Sequence, residues 1–442
     1  MSSLTMFLRR YFREFTEFIE GFTNSIERDI ESRLDDLWVY RREVDYENIL
    51  FSGEQVFKVI DSSRIPCKPV HFIGVDGSSR AVDTPYAFIG VASLSIYSNY
   101  YRELLDHPPL PISYPLKPVN APFIALSPDI PVDKEFIKRL METPYVTLYS
   151  PAGTLYSRDY NKSVILDELR NSLENKGLER ISDSVDVLDR MGKPIVIVDG
   201  PVYPVPNILK QHYNLLMLRV KRGRLDDYVA SWRIMLSERI EFIKSIERNG
   251  IPVLGVVKRL ESSRLIVSCK SFLEAVSSEY GVCIGDTGND QAFIDTLLRI
   301  LVSRRHLSQP YNPVVIGPFH VSAKATFVDK YVDTSVPDKT AYYVVVPKYR
   351  FGGFMRYIVY RVEATNYSSR LVREAYGMEV YDAVLRDSIG SGTLLPLTIL
   401  YADKRCKKLS RSLARVIAGD LESKGIPLTY DTIRIVEAHL YE

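Results

Sequence analysis

Residues 195–201 read Ile-Val-Ile-Val-Asp-Gly-Pro. Four apolar residues run straight into a carboxylate, and a glycine and a proline then stop the run. Apolar residues without polar alternation mark a strand buried on both faces, as in the middle of a parallel sheet. Just upstream, Ser163 to Met191 carries the clearest amphipathic helix pattern of the chain, with a break expected near Gly177, and Gly192-Lys193-Pro194 ends it. Downstream, residues 207–248 are again helical in pattern. Val253 to Val257 is a second buried-type strand and ends at Lys258-Arg259. Helix, buried strand, helix, buried strand is the alternation of an α/β layer fold.

Outward from this core the texture changes. Val70 to Val75 is apolar and ends in Asp76-Gly77-Ser78-Ser79, which reads as a strand and a turn. Ala87 to Tyr97 reads as a long following strand. Residues 107–132 hold many prolines and predict an irregular excursion. Residues 289–303, about 403–424 and 431–441 are helical in pattern, and strand patterns return at Val314–Ile316, Ala341–Val346 and Tyr357–Val362. The expected fold is α/β, with a mixed central sheet flanked by helices. Residues 1–60 are charged and helical in pattern, and are read as a separate N-terminal segment before a main domain at 61–442. Phe7, Tyr11, Phe15, Phe18 and Phe22 form an aromatic stripe there. Such a stripe packs either on its own domain or against a second copy or a partner.

The composition sets bounds. The 442 residues are 46% hydrophobic and 25% charged, which excludes a disordered or fibrous chain. The formal charge of +2 excludes a globally basic binder, so any nucleic-acid site must be a local groove. Cys67, Cys269, Cys283 and Cys406 are far apart, which argues against a structural zinc site or a disulfide framework. The opening MSSLTMFLRRYFREF lacks the apolar core of a secretion signal, and no window is long and apolar enough to span a membrane. A soluble protein of the reducing cytoplasm is expected, with no membrane association.

Two buried strands each ending in Asp-Gly give two candidate carboxylates, Asp76 and Asp199. A strand-terminal Asp-Gly is most simply a turn. Two of them on neighbouring strands would repel unless a cation sat between them, and hard divalent ions such as Mn²⁺ or Mg²⁺ suit carboxylate ligands. Glu174 heads the apolar stripe Leu178, Ile181, Val185 and Leu188, so it faces the core. Its partner is either Arg170 one turn earlier or a metal shared with the two aspartates. Strand Asp, helix Glu, strand Asp is the carboxylate order of an RNase H-like nuclease site, where metal ions serve phosphodiester hydrolysis. His439, beside Ile435 and Val436, is either a core histidine or a proton donor. Between Asp403 and Arg415 lie six basic residues, Lys404, Arg405, Lys407, Lys408, Arg411 and Arg415, and Leu409, Leu413, Val416, Ile417 and Leu421 read as that helix's apolar face. With Lys258 and the basic and aromatic residues of 348–357, they could line a channel for a phosphate backbone.

A rival motif is Gly285-Asp286-Thr287-Gly288-Asn289-Asp290, which matches the metal loop of haloacid-dehalogenase-type phosphatases. That family also needs a DxD motif, and here serine stands where the second aspartate belongs. The alternative is a turn and N-cap for the helix that follows. A third reading is a non-catalytic scaffold for an ATPase.

FIGVDGSSR (Phe72–Arg80), LRNSLENKGL (Leu169–Leu178), IVIVDGP (Ile195–Pro201), VLGVVKR (Val253–Arg259) and VEAHLYE (Val436–Glu442), in that order, resemble the NurA nuclease family of archaea and some bacteria. The resemblance implies an RNase H-like core, a homodimer and Mn²⁺. It implies a DNA nuclease, with single-strand endonuclease and 5′-to-3′ exonuclease activity, that processes DNA ends with the HerA hexameric helicase. By the same resemblance Asp76, Glu174, Asp199 and His439 would be the catalytic residues. Glu168 and Glu179 share the helix of Glu174, and Tyr430 is the nearest match to a late tyrosine of the family pattern.

Overall fold

The computed structural model describes residues 48–437 except 65–69, 130–133, 206–223, 286, 308–311, 323–335 and 349–356. The aromatic stripe, Asp286 and His439 lie outside the described residues. Twelve strands form one mixed sheet: β1 (Asn48–Phe51), β2 (Phe57–Val59), β3 (Phe72–Asp83), β4 (Ala87–Ser98), β5 (Arg102–His107), β6 (Ile124–Pro128), β7 (Val146–Thr147), β8 (Ile195–Asp199), β9 (Val253–Val257), β10 (Val314–Ser322), β11 (Lys339–Pro347) and β12 (Tyr357–Thr365). The described helices are α1 (Lys134–Met141), α2 (Lys162–Ser182), α3 (Val185–Leu188), α4 (Arg224–Arg248), α5 (Lys270–Tyr280), α6 (Asp290–Ser303), α7 (Asn366–Tyr376), α8 (Val380–Ser388), α9 (Leu397–Ser423) and α10 (Tyr430–Glu437).

The strand order is β1-β10-β11-β12-β9-β8-β3-β4-β6-β7, with β2 beside β10 and β5 beside β4. The centre is parallel: β3 pairs with β8, and β8 with β9. These are the strands whose sequences lack polar alternation, and Ile195 to Val198 are all buried. Burying each such side chain contributes about 1.5–3 kcal/mol. The pairs β3–β4, β4–β5 and β9–β12 are antiparallel.

Both faces of the centre are covered. Ile73 and Val75 of β3 point into a core made with α2 and α4, which includes Leu173, Leu178, Trp232 and Ile240. The intervening Gly74, Asp76 and Ser78 point to the other face, where α9 lies. A side chain at Gly74 would fall 2.4 Å from the Thr398 backbone, so only glycine lets α9 lie this close. The buried residues of α9 are small: Ala402, Cys406, Ser410, Ala414 and Ala418.

Several expectations need correction. Asp76 does not end its strand, because β3 continues to Asp83 and turns only at residues 84–86. What ends near Asp76 is the neighbour, since β8 pairs with β3 only as far as Val75–Val198. Helix α2 is unbroken at Gly177, whose missing side chain makes room for Leu94. The apolar face read for α9 is offset, for Val416 is 62% exposed while the small residues pack. Within 1–60, residues 48–51 and 57–59 are strands paired with β10 instead of helix, so they belong to the main sheet.

Candidate metal centre

Three elements deliver three carboxylates to one place. Asp76 comes from mid-β3, on the α9 face. Asp199 is the last residue of β8, carried there by the buried Ile195–Val198 run. Asp403 comes from the second turn of α9. One oxygen from each lies within 4.8 Å of the others. Two ligands on opposite sides of a small divalent ion stand about 4 Å apart, so this spacing suits Mg²⁺ or Mn²⁺. The donors are hard oxygens, which fits those ions and not a thiophilic one.

Asp403 was missed by sequence reasoning, which absorbed it into a basic stretch. Its position beside the small, buried stripe of α9 is the signal that could have found it. The basic residues around it divide. Lys407 Nζ forks onto the Asp403 carboxylate at 2.7 and 2.8 Å. Arg405 pairs with Glu103 at 2.9 Å and also with Asp106. Lys404, Lys408 and Arg411 are exposed. Lys258, just past β9, is drawn into the centre, with Nζ 2.6 Å from Asp199 Oδ2 and 3.7 Å from Asp403 Oδ1.

The electrostatics are those of an anion excess. Burial pushes the Asp76 carboxyl well above the usual carboxylate range. Asp199, Glu174 and Asp403 push it further, and Lys258 opposes them. Asp199 is also raised, by burial first, against the pull of Lys258. Asp403 is lowered, because Lys407 and Lys258 outweigh its partial burial. The three anions raise Lys258 despite the cost of burying its charge. The Cys406 thiol, 3.5 Å from Asp76 Oδ2, donates to that carboxylate and is itself pushed up by burial and by the aspartates.

The three glutamates of α2 have different surroundings. Glu168 is buried and accepts from Tyr156 and Tyr160 at 2.9 and 2.7 Å. Glu179 pairs with Lys176 at 3.2 Å. Glu174 reaches β3 from the face opposite Asp76. A side chain at Gly77 would come within 3.1 Å of Glu174 Oε1. Arg239 of α4 donates to Glu174 Oε2 at 2.7 Å, and Arg170, the partner weighed from sequence, stands 3.9 Å from Oε1. Glu174 is not one of the three residues whose oxygens lie within 4.8 Å of one another, but its charge is felt at both Asp76 and Asp199.

Asp290 of the rival loop is fully buried. It accepts from the Leu265 and Ile266 amides at 2.9 Å, and from the Ser263 and Tyr343 hydroxyls at 2.5 Å. Asn289 caps α6 through the Ala292 amide. Asn289 thus serves as a helix cap, and the Asp290 carboxylate is fully occupied by local hydrogen bonds. Tyr430 opens α10 and is 73% exposed.

The NurA domain family matches residues 70–407, most of the chain. The chain belongs to the NurA family. The matched span includes Asp76, Glu174, Asp199, Lys258 and Asp403, and it ends before His439. Among solved structures, a NurA nuclease from Sulfolobus solfataricus is 12% identical over 96% of this chain and 98% of that one, with a TM-score of 0.39. A NurA crystallised with manganese is 12% identical over 92% and 98%, with a TM-score of 0.37. A NurA bound to dAMP and manganese is 10% identical over 89% and 92%, with a TM-score of 0.35. No curated protein matches the chain. None of the described helices is long and apolar enough to cross a membrane.

Proposed function

We propose that this NurA-family chain is a metal-dependent deoxyribonuclease that hydrolyses phosphodiester bonds in DNA. The observation that carries the reading is the convergence of Asp76, Asp199 and Asp403, from three elements, at the edge where the parallel strands stop. Open α/β sheets bind ligands at that edge. The antiparallel β3–β4–β5 unit, followed across α2 by β8 and β9 parallel to β3, supports an RNase H-like core.

In this reading Asp76, Asp199 and Asp403 would hold Mn²⁺, with Mg²⁺ as substitute, and Glu174 would complete the site. When bound, such an ion supplies positive charge to a phosphodiester oxygen and acidity to a water. With a metal held there, Lys258 would give up Asp199 and Asp403 as partners, and its ammonium would be available to a phosphate. Lys404, Lys408 and Arg411, with Lys407 behind them, meet the DNA backbone. His439 is proposed as a proton donor at the leaving oxygen.

The wider reading follows the family. The chain acts in the cytoplasm as a homodimer with a HerA-type hexameric ATPase. It trims DNA ends in double-strand break repair by single-strand endonuclease and 5′-to-3′ exonuclease action. The residues before β1, with their aromatic stripe, serve the dimer or the ATPase contact.

Incubation with single-stranded DNA and Mn²⁺, with and without EDTA, tests the activity. A nuclease cuts only with metal. A phosphatase releases phosphate from small esters and spares DNA. A scaffold does neither, and that outcome would end the enzymatic reading.

A further inference from the structure

Arg239 is the largest buried charge near the metal centre, at 2% exposure, and it belongs to none of the motifs read from sequence. It reaches from α4 to α2. Its Nη2 donates to Glu174 Oε2 and its Nε to Asn175 Oδ1, both at 2.7 Å. Asn175 closes the circuit by donating through Nδ2 to the Met235 carbonyl of α4, also at 2.7 Å. A planar guanidinium with two fixed acceptors holds a carboxylate in one rotamer far better than an ammonium can.

The circuit grips Oε2 of Glu174, while Oε1 has only the more distant Arg170 Nε, at 3.9 Å, as its charged partner. Oε1 lies against β3 at Gly77, one residue past Asp76. At this point β8 no longer pairs with β3, whose pairing ends at Val75–Val198. The glycine makes room for this oxygen, because a methyl group there would stand 3.1 Å from it. Burial of Arg239 without this acid would be costly, and burial of the acid without Arg239 equally so. The pair is therefore a preset fixture of α2 and α4, in place before any ligand arrives.

We propose that Arg239 is a positioning residue for the metal centre: it clamps Glu174 by Oε2 and so presents Oε1 toward the Asp76–Asp199–Asp403 cluster. The inference rests on the nuclease reading of that cluster. Partners that orient a metal site from behind typically matter 10- to 100-fold in metal affinity.

Mn²⁺ binding to the full-length chain, followed by electron paramagnetic resonance of the free ion, tests it without relying on cleavage. Arg239→Met should weaken Mn²⁺ binding about 10-fold or more. The same change in a Glu174→Gln background should add little, since Arg239 acts through Glu174. Should Arg239→Met not fold, Arg239→Lys carries the test. It keeps the charge but cannot make both bonds, so an intermediate loss is expected. A lowered Tm with unchanged Mn²⁺ affinity would mark a purely structural ion pair and overturn the proposal. A wild-type chain that binds no Mn²⁺ would overturn the nuclease reading as well. A wild type that binds and cuts, beside an Arg239→Met variant of equal affinity, would overturn this inference alone.

Discussion

Lys258 bridges Asp199 and Asp403, joining the end of β8 to α9 through one ammonium. It is a tethered cation in the midst of an anion cluster. Removing it should cost the metal-free protein about 2 kcal/mol, because two partly buried carboxylates lose a charged partner. Lys258→Met should therefore melt earlier in EDTA and gain more from Mn²⁺ than the wild type does. Thermal melts with and without metal check this, and equal metal-induced shifts would show that the lysine does not compete for the site.

Asp76→Asn, Asp199→Asn and Asp403→Asn should each lower cleavage more than about 100-fold with the fold retained. For Asp76 the sign of the stability change is clear. Its folded carboxyl titrates well above the usual range, so ionisation at neutral pH opposes folding. Asp76→Asn should therefore raise the Tm at pH 7–8 in EDTA. A lower Tm would mean that the carboxylate is stabilised by contacts stronger than the repulsion.

Gly77→Ala tests the room reserved for Glu174. The added methyl would stand 2.9 Å from Arg170 Cγ and 3.1 Å from Glu174 Oε1. Backbone strain is not at issue, since Gly77 is ordinary strand. The expected result is weakened Mn²⁺ binding with a near-normal far-ultraviolet circular dichroism spectrum. Unchanged binding would show that Glu174 can shift without consequence.

Asp387 predicts a pH effect unrelated to metal. It is buried and accepts from the Thr398 amide at 3.1 Å and hydroxyl at 2.5 Å, which ties down the start of α9. Burial pushes its carboxyl up to about 6. Its stabilising contribution is full below the unfolded value near 4 and is lost as pH rises through about 6, an effect of about 3 kcal/mol. Asp387→Asn keeps an acceptor for Thr398 and cannot ionise. Relative to wild type it should gain stability between pH 4 and pH 8, as urea melts at the two pH values would show. A constant difference would contradict the raised pKa.

Neutralising Lys404, Lys408 and Arg411 together should weaken single-stranded DNA binding and flatten its salt dependence by about 2 in log–log slope. Lys407 is omitted because it is tied to Asp403 and its loss would disturb the centre. An unchanged slope would place the DNA elsewhere.

The parallel centre of the sheet was legible because burial on both faces removes polar alternation, as in Ile195–Val198 and Val253–Val257. Asp199 could be read because its strand ends where the apolar run ends. Asp76 misled, for Asp-Gly reads as a turn, yet β3 continues on the support of β4 alone. Helices α5, α7 and α8 went unread because their short apolar patterns are spread over layers that only the fold brings together. The same holds for β6, hidden in a proline-rich stretch. Asp403 was invisible for a different reason: at i, i+4 from Lys407 it has the look of a surface ion pair, and only the docking of α9 on Gly74 turns it inward.

That docking has a consequence for how the protein is made. Asp76 lies in the first fifth of the chain and Asp403 in the last tenth. Chains leave the ribosome N-terminus first, and their early portions can fold before the late ones exist. A nascent chain could assemble β3, α2 and β8 while α9 is still unsynthesised. It would then hold two aspartates on the sheet without their third partner. The donor set closes only when the small-residue face of α9 settles on β3, so on the proposed nuclease reading a half-made chain would have no complete centre with which to cut nucleic acid.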